Sequence, residues 1–84
     1  MYTVAYSNQA IKFLKSSEKI ILQRLMNKIE ELQMDPFGHD TKSVEGYKEK
    51  LYRVRVGDYR ILYVVEETTK TLEIIKIDKR SRVY

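Results

Sequence analysis

The stretch Leu51-Tyr52-Arg53-Val54-Arg55-Val56-Gly57-Asp58-Tyr59-Arg60-Ile61-Leu62-Tyr63 decides the reading of the chain. Two alternating runs rich in β-branched and aromatic residues flank Gly57-Asp58, the composition of a two-residue hairpin turn. With Val56 opposite Tyr59, Arg55 falls opposite Arg60 and Val54 opposite Ile61. Side chains alternate along a strand, so Arg53, Arg55 and Arg60 share one face. Tyr52, Val54, Val56, Ile61 and Tyr63 share the other. Like charges directly opposite on a sheet are destabilising. An arginine face kept at that cost implies an anionic partner.

Working outward, Tyr2 to Tyr6 alternates as a short strand. Ser7 is a candidate N-cap for a short amphipathic helix carrying Ala10, Ile11, Phe13 and Leu14. Ser16-Ser17 interrupts it and can cap the next helix, read over 18–34. There Leu22, Leu25, Met26, Ile29 and Leu32 follow the i, i+3, i+4, i+7 rule. Asp35-Pro36 ends that helix, because the residue before proline is biased away from helical backbone. Residues 35–46 read as a loop holding the one proline and two of the three glycines. Strands follow over 48–56, 59–66 and 71–78. The order β-α-α-β-β-β predicts an α+β fold, with two N-terminal helices on one face of a mainly antiparallel four-stranded sheet. The arginine face is then the open one.

The chain has 84 residues, which predicts one domain spanning 1–84. It contains no cysteine, which excludes a disulfide framework, a zinc finger and thiol catalysis. The N-terminus lacks the layout of a signal peptide, and no apolar run reaches a membrane span; the expectation is a soluble cytoplasmic protein. Net charge is +4. Residues 1–40 carry five basic and five acidic groups and residues 41–84 carry eleven and seven, so the whole excess lies in the second half. Five of the six arginines are there as well: Arg53, Arg55, Arg60, Arg80 and Arg82. Arginine grips phosphate through two parallel hydrogen bonds, where lysine acts as a point charge. A basic half-protein points to nucleic acid, an acidic protein partner, or both.

Most catalytic devices have no support. His39, the one histidine, stands in a loop without acidic or cysteine neighbours at metal spacing. Phosphate-loop and dinucleotide motifs need more glycine than three scattered residues supply. Ser16, Ser17 and Ser43 lack a neighbouring base. Glu30-Glu31 and Glu66-Glu67 fit a solvated helix face and a turn. No metal or cofactor is expected. What remains is the arginine set together with Lys79-Arg80-Ser81-Arg82-Val83-Tyr84 after the last strand. If that strand packs beside 59–66, its end brings Arg80 toward the hairpin cluster, which could clamp a phosphate and stabilise charge developing in phosphoryl transfer. Tyr84 could stack on an unpaired base. The same residues could instead bind an acidic protein segment, with Tyr84 a frayed end.

The hairpin motif, followed by Asp78-Lys79-Arg80 and Val83-Tyr84, resembles the RelE/ParE toxin superfamily, and RelE-type toxins in particular. Asp35-Pro36-Phe37 and Lys42-Ser43-Val44-Glu45-Gly46 resemble that family's helix exit and loop. The resemblance implies a microbial RNase-like fold and an mRNA interferase, an endoribonuclease that cuts messenger RNA in the ribosomal A site by attack of a ribose 2′-hydroxyl on the adjacent phosphate. It also implies an acidic, helical antitoxin that wraps the toxin, with the two able to form a heterotetramer. By resemblance, Arg60 binds the phosphate and stabilises the transition state, Arg80 takes a phosphate or leaving-group role, and Tyr84 stacks on the nucleotide. Arg53 and Arg55 fall where some members carry lysines, one of them a proposed general base. Arginine stays protonated and is a poor base, so the base is another group, for example Lys50 or one from the ribosome, or catalysis rests on positioning. Lys50, Arg55, Lys79 and Arg82 are expected to contact RNA. Other readings are a ParE-like, non-enzymatic inhibitor of DNA gyrase, or a degenerate basic binding module.

Overall fold

The computed structural model describes residues 1–44 and 50–79. Its elements run β1 (Thr3–Tyr6), α1 (Asn8–Ser16), α2 (Lys19–Met34), β2 (Lys42–Val44), β3 (Leu51–Val56), β4 (Tyr59–Glu66) and β5 (Thr71–Lys79). The strands form one sheet in the order β1-β5-β4-β3-β2. Among the described residues only β1 and β5 pair in parallel; the other three pairings are antiparallel. The α+β class holds, but the sheet has five strands rather than four. The extra one is β2, inside the segment read as loop. Three residues carry too little alternation to announce a strand, and Lys42–Val44 becomes one because β3 offers an unpaired edge. The segment 48–49, expected to begin β3, lies outside the described residues.

Helix α1 starts where Ser7 Oγ accepts the Ala10 N–H at 3.1 Å, as an N-cap does. The same hydroxyl donates to the Ile75 carbonyl at 2.6 Å, tying the helix start to β5. Ser17 does not cap α2. Its hydroxyl turns back to the Phe13 carbonyl at 2.6 Å and finishes α1, while Glu18 stands at the α2 N-cap without a side-chain capping bond. A carbonyl left over at the end of one helix thus wins the serine from the amides of the next. Past the helix exit, Asp35 Oδ1 accepts the Phe37 N–H and sets the turn.

The core lies between the helices and one sheet face. Leu25, Ile29 and Leu32 of α2 and Ala10 of α1 meet Val54, Val56, Ile61, Tyr63, Leu72, Ile74 and Ile77. On β5 this burial pattern changes phase: Leu72 and Ile74 are two apart, Ile74 and Ile77 three apart. The cause is a β-bulge, in which Leu62 pairs with Lys76 but Tyr63 with Ile74, leaving Ile75 as the extra residue. The bulge keeps Ile77 in the core and turns Asp78 to the opposite, open face. Edge protection is explicit as well. Beyond the end of β1, the Gln9 side chain donates to the Ile77 carbonyl at 2.7 Å and accepts the Ile77 N–H at 2.9 Å. A side-chain amide thereby replaces the missing strand.

Candidate nucleic-acid interface on the open sheet face

The hairpin has the expected register: Val56 pairs with Tyr59, Arg55 with Arg60 and Val54 with Ile61. Gly57 has φ +60° and Asp58 does not have a positive φ, the pattern of a type II′ turn. Arg53, Arg55 and Arg60 therefore project from the face that the helices leave open. Arg55 is exposed, while Arg53 and Arg60 are half-buried.

Across the sheet this face carries two rows. In one, β2, β3, β4 and β5 contribute Lys42, Arg53, Leu62 and Lys76 as successive partners. In the other, Arg55, Arg60 and Asp78 are successive partners. Directly opposed residues in such pairs have Cβ atoms about 4.5–5.5 Å apart, so these side chains are neighbours. Asp78 reaches Arg60 at two points, Nε to Oδ1 and Nη2 to Oδ2, both 3.2 Å. The pair is about three-quarters shielded from solvent, and the Lys76 ammonium approaches the same carboxylate at 3.7 Å. A planar guanidinium held at two points has a fixed plane and a fixed direction. Asp78 orients Arg60.

Lys42 was not among the residues picked out from the sequence, because its segment read as loop; only the register beside Arg53 reveals it. Asp40, Lys42, Arg53, Val54 and Arg55 line a depression of about 280 Å³. The carboxylate in it is already engaged. Lys28 Nζ lies 2.8 Å from Asp40 Oδ2, and this hydrogen bond holds the Asp40 carboxyl below, and the Lys28 ammonium above, its ordinary range.

Lys50 is exposed and sits away from this cluster. It lines a separate depression of about 530 Å³ with Val64, Glu66, Thr71 and Glu73. It precedes Leu51, which lies roughly 13 Å from Arg55 along β3. The structure thus brings Arg53, Arg55 and Arg60 together and does not bring Lys50 to them. Lys79 pairs with Tyr59 at the turn end of the hairpin. Arg80, Arg82 and Tyr84 lie outside the described residues. Among the described residues no cluster of metal-ligating side chains occurs, and no helix is long and apolar enough to cross a membrane.

The chain is thus a small basic α+β protein whose sheet face away from the helices carries opposed arginines. The family described as "ParE toxin of type II toxin-antitoxin system, parDE" matches residues 4–84. The chain belongs to this family, within the RelE/ParE superfamily, and is a RelE-like toxin of a type II toxin–antitoxin system. It is 28% identical over 85 residues to a Methanocaldococcus jannaschii protein named as toxin RelE1, covering 99% of this chain and 94% of that one. Among solved structures it resembles a chain of the RelE–RelB complex of Pyrococcus horikoshii, at 32% identity and a TM-score of 0.84, covering 98% of each chain. A chain of the RelBE2 toxin–antitoxin complex of Mycobacterium tuberculosis is 25% identical with a TM-score of 0.81, covering 94% of this chain and 98% of that one.

Proposed function

We propose that this chain is a ribosome-dependent endoribonuclease that cleaves messenger RNA. The observation that carries this reading is the Arg55–Arg60 cross-strand pair, with Arg53 beside it on the same open face. Opposed guanidinium groups repel, and a bound phosphodiester turns that repulsion into attraction toward a shared anion. In the reaction a ribose 2′-hydroxyl loses its proton and its oxygen attacks the adjacent phosphorus. The bond to the 5′-oxygen breaks, and that oxygen gains a proton. Charge accumulates on the non-bridging oxygens during the step, so preorganised cations lower the barrier. Arg60, oriented by Asp78, takes this role with Arg53, and Arg80, which follows Lys79 in sequence, is assigned a phosphate or leaving-group role beside them on the family resemblance alone. Tyr84 stacks on a base, and Arg55, Lys79, Lys50 and Arg82 hold the strand. Arg53 and Arg55 cannot serve as the base, and Lys50 lines a separate depression away from them, so deprotonation falls to another lysine or to a ribosomal group, or catalysis rests on positioning.

The regulating partner is an acidic antitoxin that covers the basic face in the cytoplasm. The structural relatives from P. horikoshii and M. tuberculosis are a RelE–RelB complex and a toxin–antitoxin complex, which supports an antitoxin as the partner. A second reading, gyrase inhibition without catalysis, draws on the ParE description of the matching family. The discriminating experiment induces the free protein and maps ribosome-bound messages by primer extension while following DNA replication. Cleaved message is expected, and Arg60→Ala is expected to abolish both cleavage and growth arrest while antitoxin binding stays measurable. Stalled replication with intact message would transfer the function to the gyrase reading.

A further inference from the structure

The geometry points to a second anion subsite between β2 and β3, formed by Lys42 and Arg55 together with Arg53, which it shares with the scissile phosphate, that seats a phosphate of single-stranded RNA flanking the one to be cleaved. This inference rests on the nuclease reading for the identity of its ligand. Its basis is a contrast in ion pairing. Arg60 is engaged at two points by Asp78, whereas Lys42, Arg53 and Arg55 make no ion pair among the described residues. All three line one depression of about 280 Å³, and the only carboxylate there among the described residues, Asp40, is held by Lys28. Three cations that share a concave surface and have no counter-ion among the described residues repel one another, and an entering anion relieves that repulsion. Lys42 and Arg53 are direct partners, and Arg55 stands two residues further along the same face, roughly 7 Å away. The subsite thus borders the Arg55–Arg60 pair, so one extended RNA strand can lie across both.

A lysine on a short edge strand also discourages another strand from pairing there. That role accounts for one charge on β2, not for three converging on one depression.

The test measures binding of the full-length free toxin to a short 2′-O-methylated single-stranded RNA, which lacks the attacking hydroxyl, across a series of salt concentrations. Each phosphate contact in a single strand contributes about 0.7 to the slope of log K against log salt. Lys42→Ala is expected to reduce the slope by about 0.7, with the slope restored in Lys42→Arg. Lys12→Ala, which removes an equal charge from α1, is expected to leave it unchanged. In cleavage of ribosome-bound message, Lys42→Ala is expected to raise KM and to spare kcat. An unchanged slope in Lys42→Ala, or an equal fall in Lys12→Ala, overturns the subsite, as does loss of antitoxin binding with RNA binding intact. Matching thermal unfolding of the variants excludes misfolding as the cause. If the wild type cleaves no message but the slope difference persists, the nuclease reading falls and the RNA subsite stands. If it cleaves and the slope difference is absent, the subsite alone falls.

Discussion

Tyr63 shows how much one polar atom can fix in a small core. Its ring is fully buried, stacked on Tyr52, which in turn meets Phe37 edge-on. Its hydroxyl donates to the Pro36 carbonyl at 2.7 Å, so the Thr41 hydroxyl, 2.8 Å away, must be the donor in the second bond. Both partners belong to the loop after α2, and that loop delivers Asp40 and Lys42 to the open face. Tyr63→Phe is expected to destabilise the fold by about 1–3 kcal/mol, because buried partners lose their bond. Urea unfolding monitored by circular dichroism measures this. The pH dependence carries a sharper signature. Burial pushes the Tyr63 phenol up to about 12 from an ordinary value of 10. The folded chain therefore keeps its proton where the unfolded chain loses it. Tyr63 contributes its full stability below pH 10 and loses it as pH rises from 10 through 12. That loss runs at up to about 1.4 kcal/mol per pH unit. Tyr63→Phe should flatten this alkaline limb relative to the wild type, although the raised Tyr6 phenol leaves part of it in place.

At the scale of the element, the β3–β4 hairpin is held by Gly57 for two separate reasons. Its φ of +60° disfavours any residue with a Cβ, and a Cβ built there would lie 2.5 Å from Arg24 Nη2, reaching over from α2. Gly57→Ala is expected to cost about 1–3 kcal/mol for the backbone strain, plus a smaller amount for displacing the flexible Arg24 head. A double-mutant cycle with Arg24→Ala separates the two. The strain persists in the Arg24→Ala background and the clash does not. An unchanged midpoint in Gly57→Ala would show that the turn relaxes without strain. The hairpin was legible in the sequence because its register depends on local chemistry: a Gly-Asp turn and strict alternation on either side. The arginine face followed from the same alternation. The Arg60–Asp78 pair was hidden because it depends on the bulge at Ile75, although the phase slip from Ile74 to Ile77 carries its trace. β2 and Lys42 were illegible for a different reason. Three residues have no period to detect, and their strand character is supplied by β3. Ser17 could serve either helix, and only the packed structure decides between the two.

For the molecule as a whole, the telling contacts are those joining its sequence extremes. Thr3 pairs with Thr71, and Gln9 bridges to Ile77 across 68 residues of chain. Closing so long a loop is entropically costly, whereas β3 and β4 meet across a two-residue turn. The antiparallel core of the sheet can therefore form early, with β1 and α1 docking onto β5 late. Gln9→Ala isolates that late step, because it removes a side chain that, among the described residues, bonds only to Ile77, and leaves the Ile77 backbone groups unpaired. The expected loss is about 1 kcal/mol, near the typical worth of such bonds at a partly exposed site. Its kinetic partition is the real prediction. Contacts absent from the transition state slow folding little and speed unfolding by nearly the whole of the stability change. Stopped-flow chevrons should show the unfolding limb raised about fivefold in Gln9→Ala with the folding limb almost unmoved. In Gly57→Ala the folding limb should fall instead. Equal effects on the folding limb in both variants would mean that β1 and α1 dock before the rate-limiting step. The sheet would then assemble from its parallel edge inward, and the arginine face would be the last part of the molecule to form.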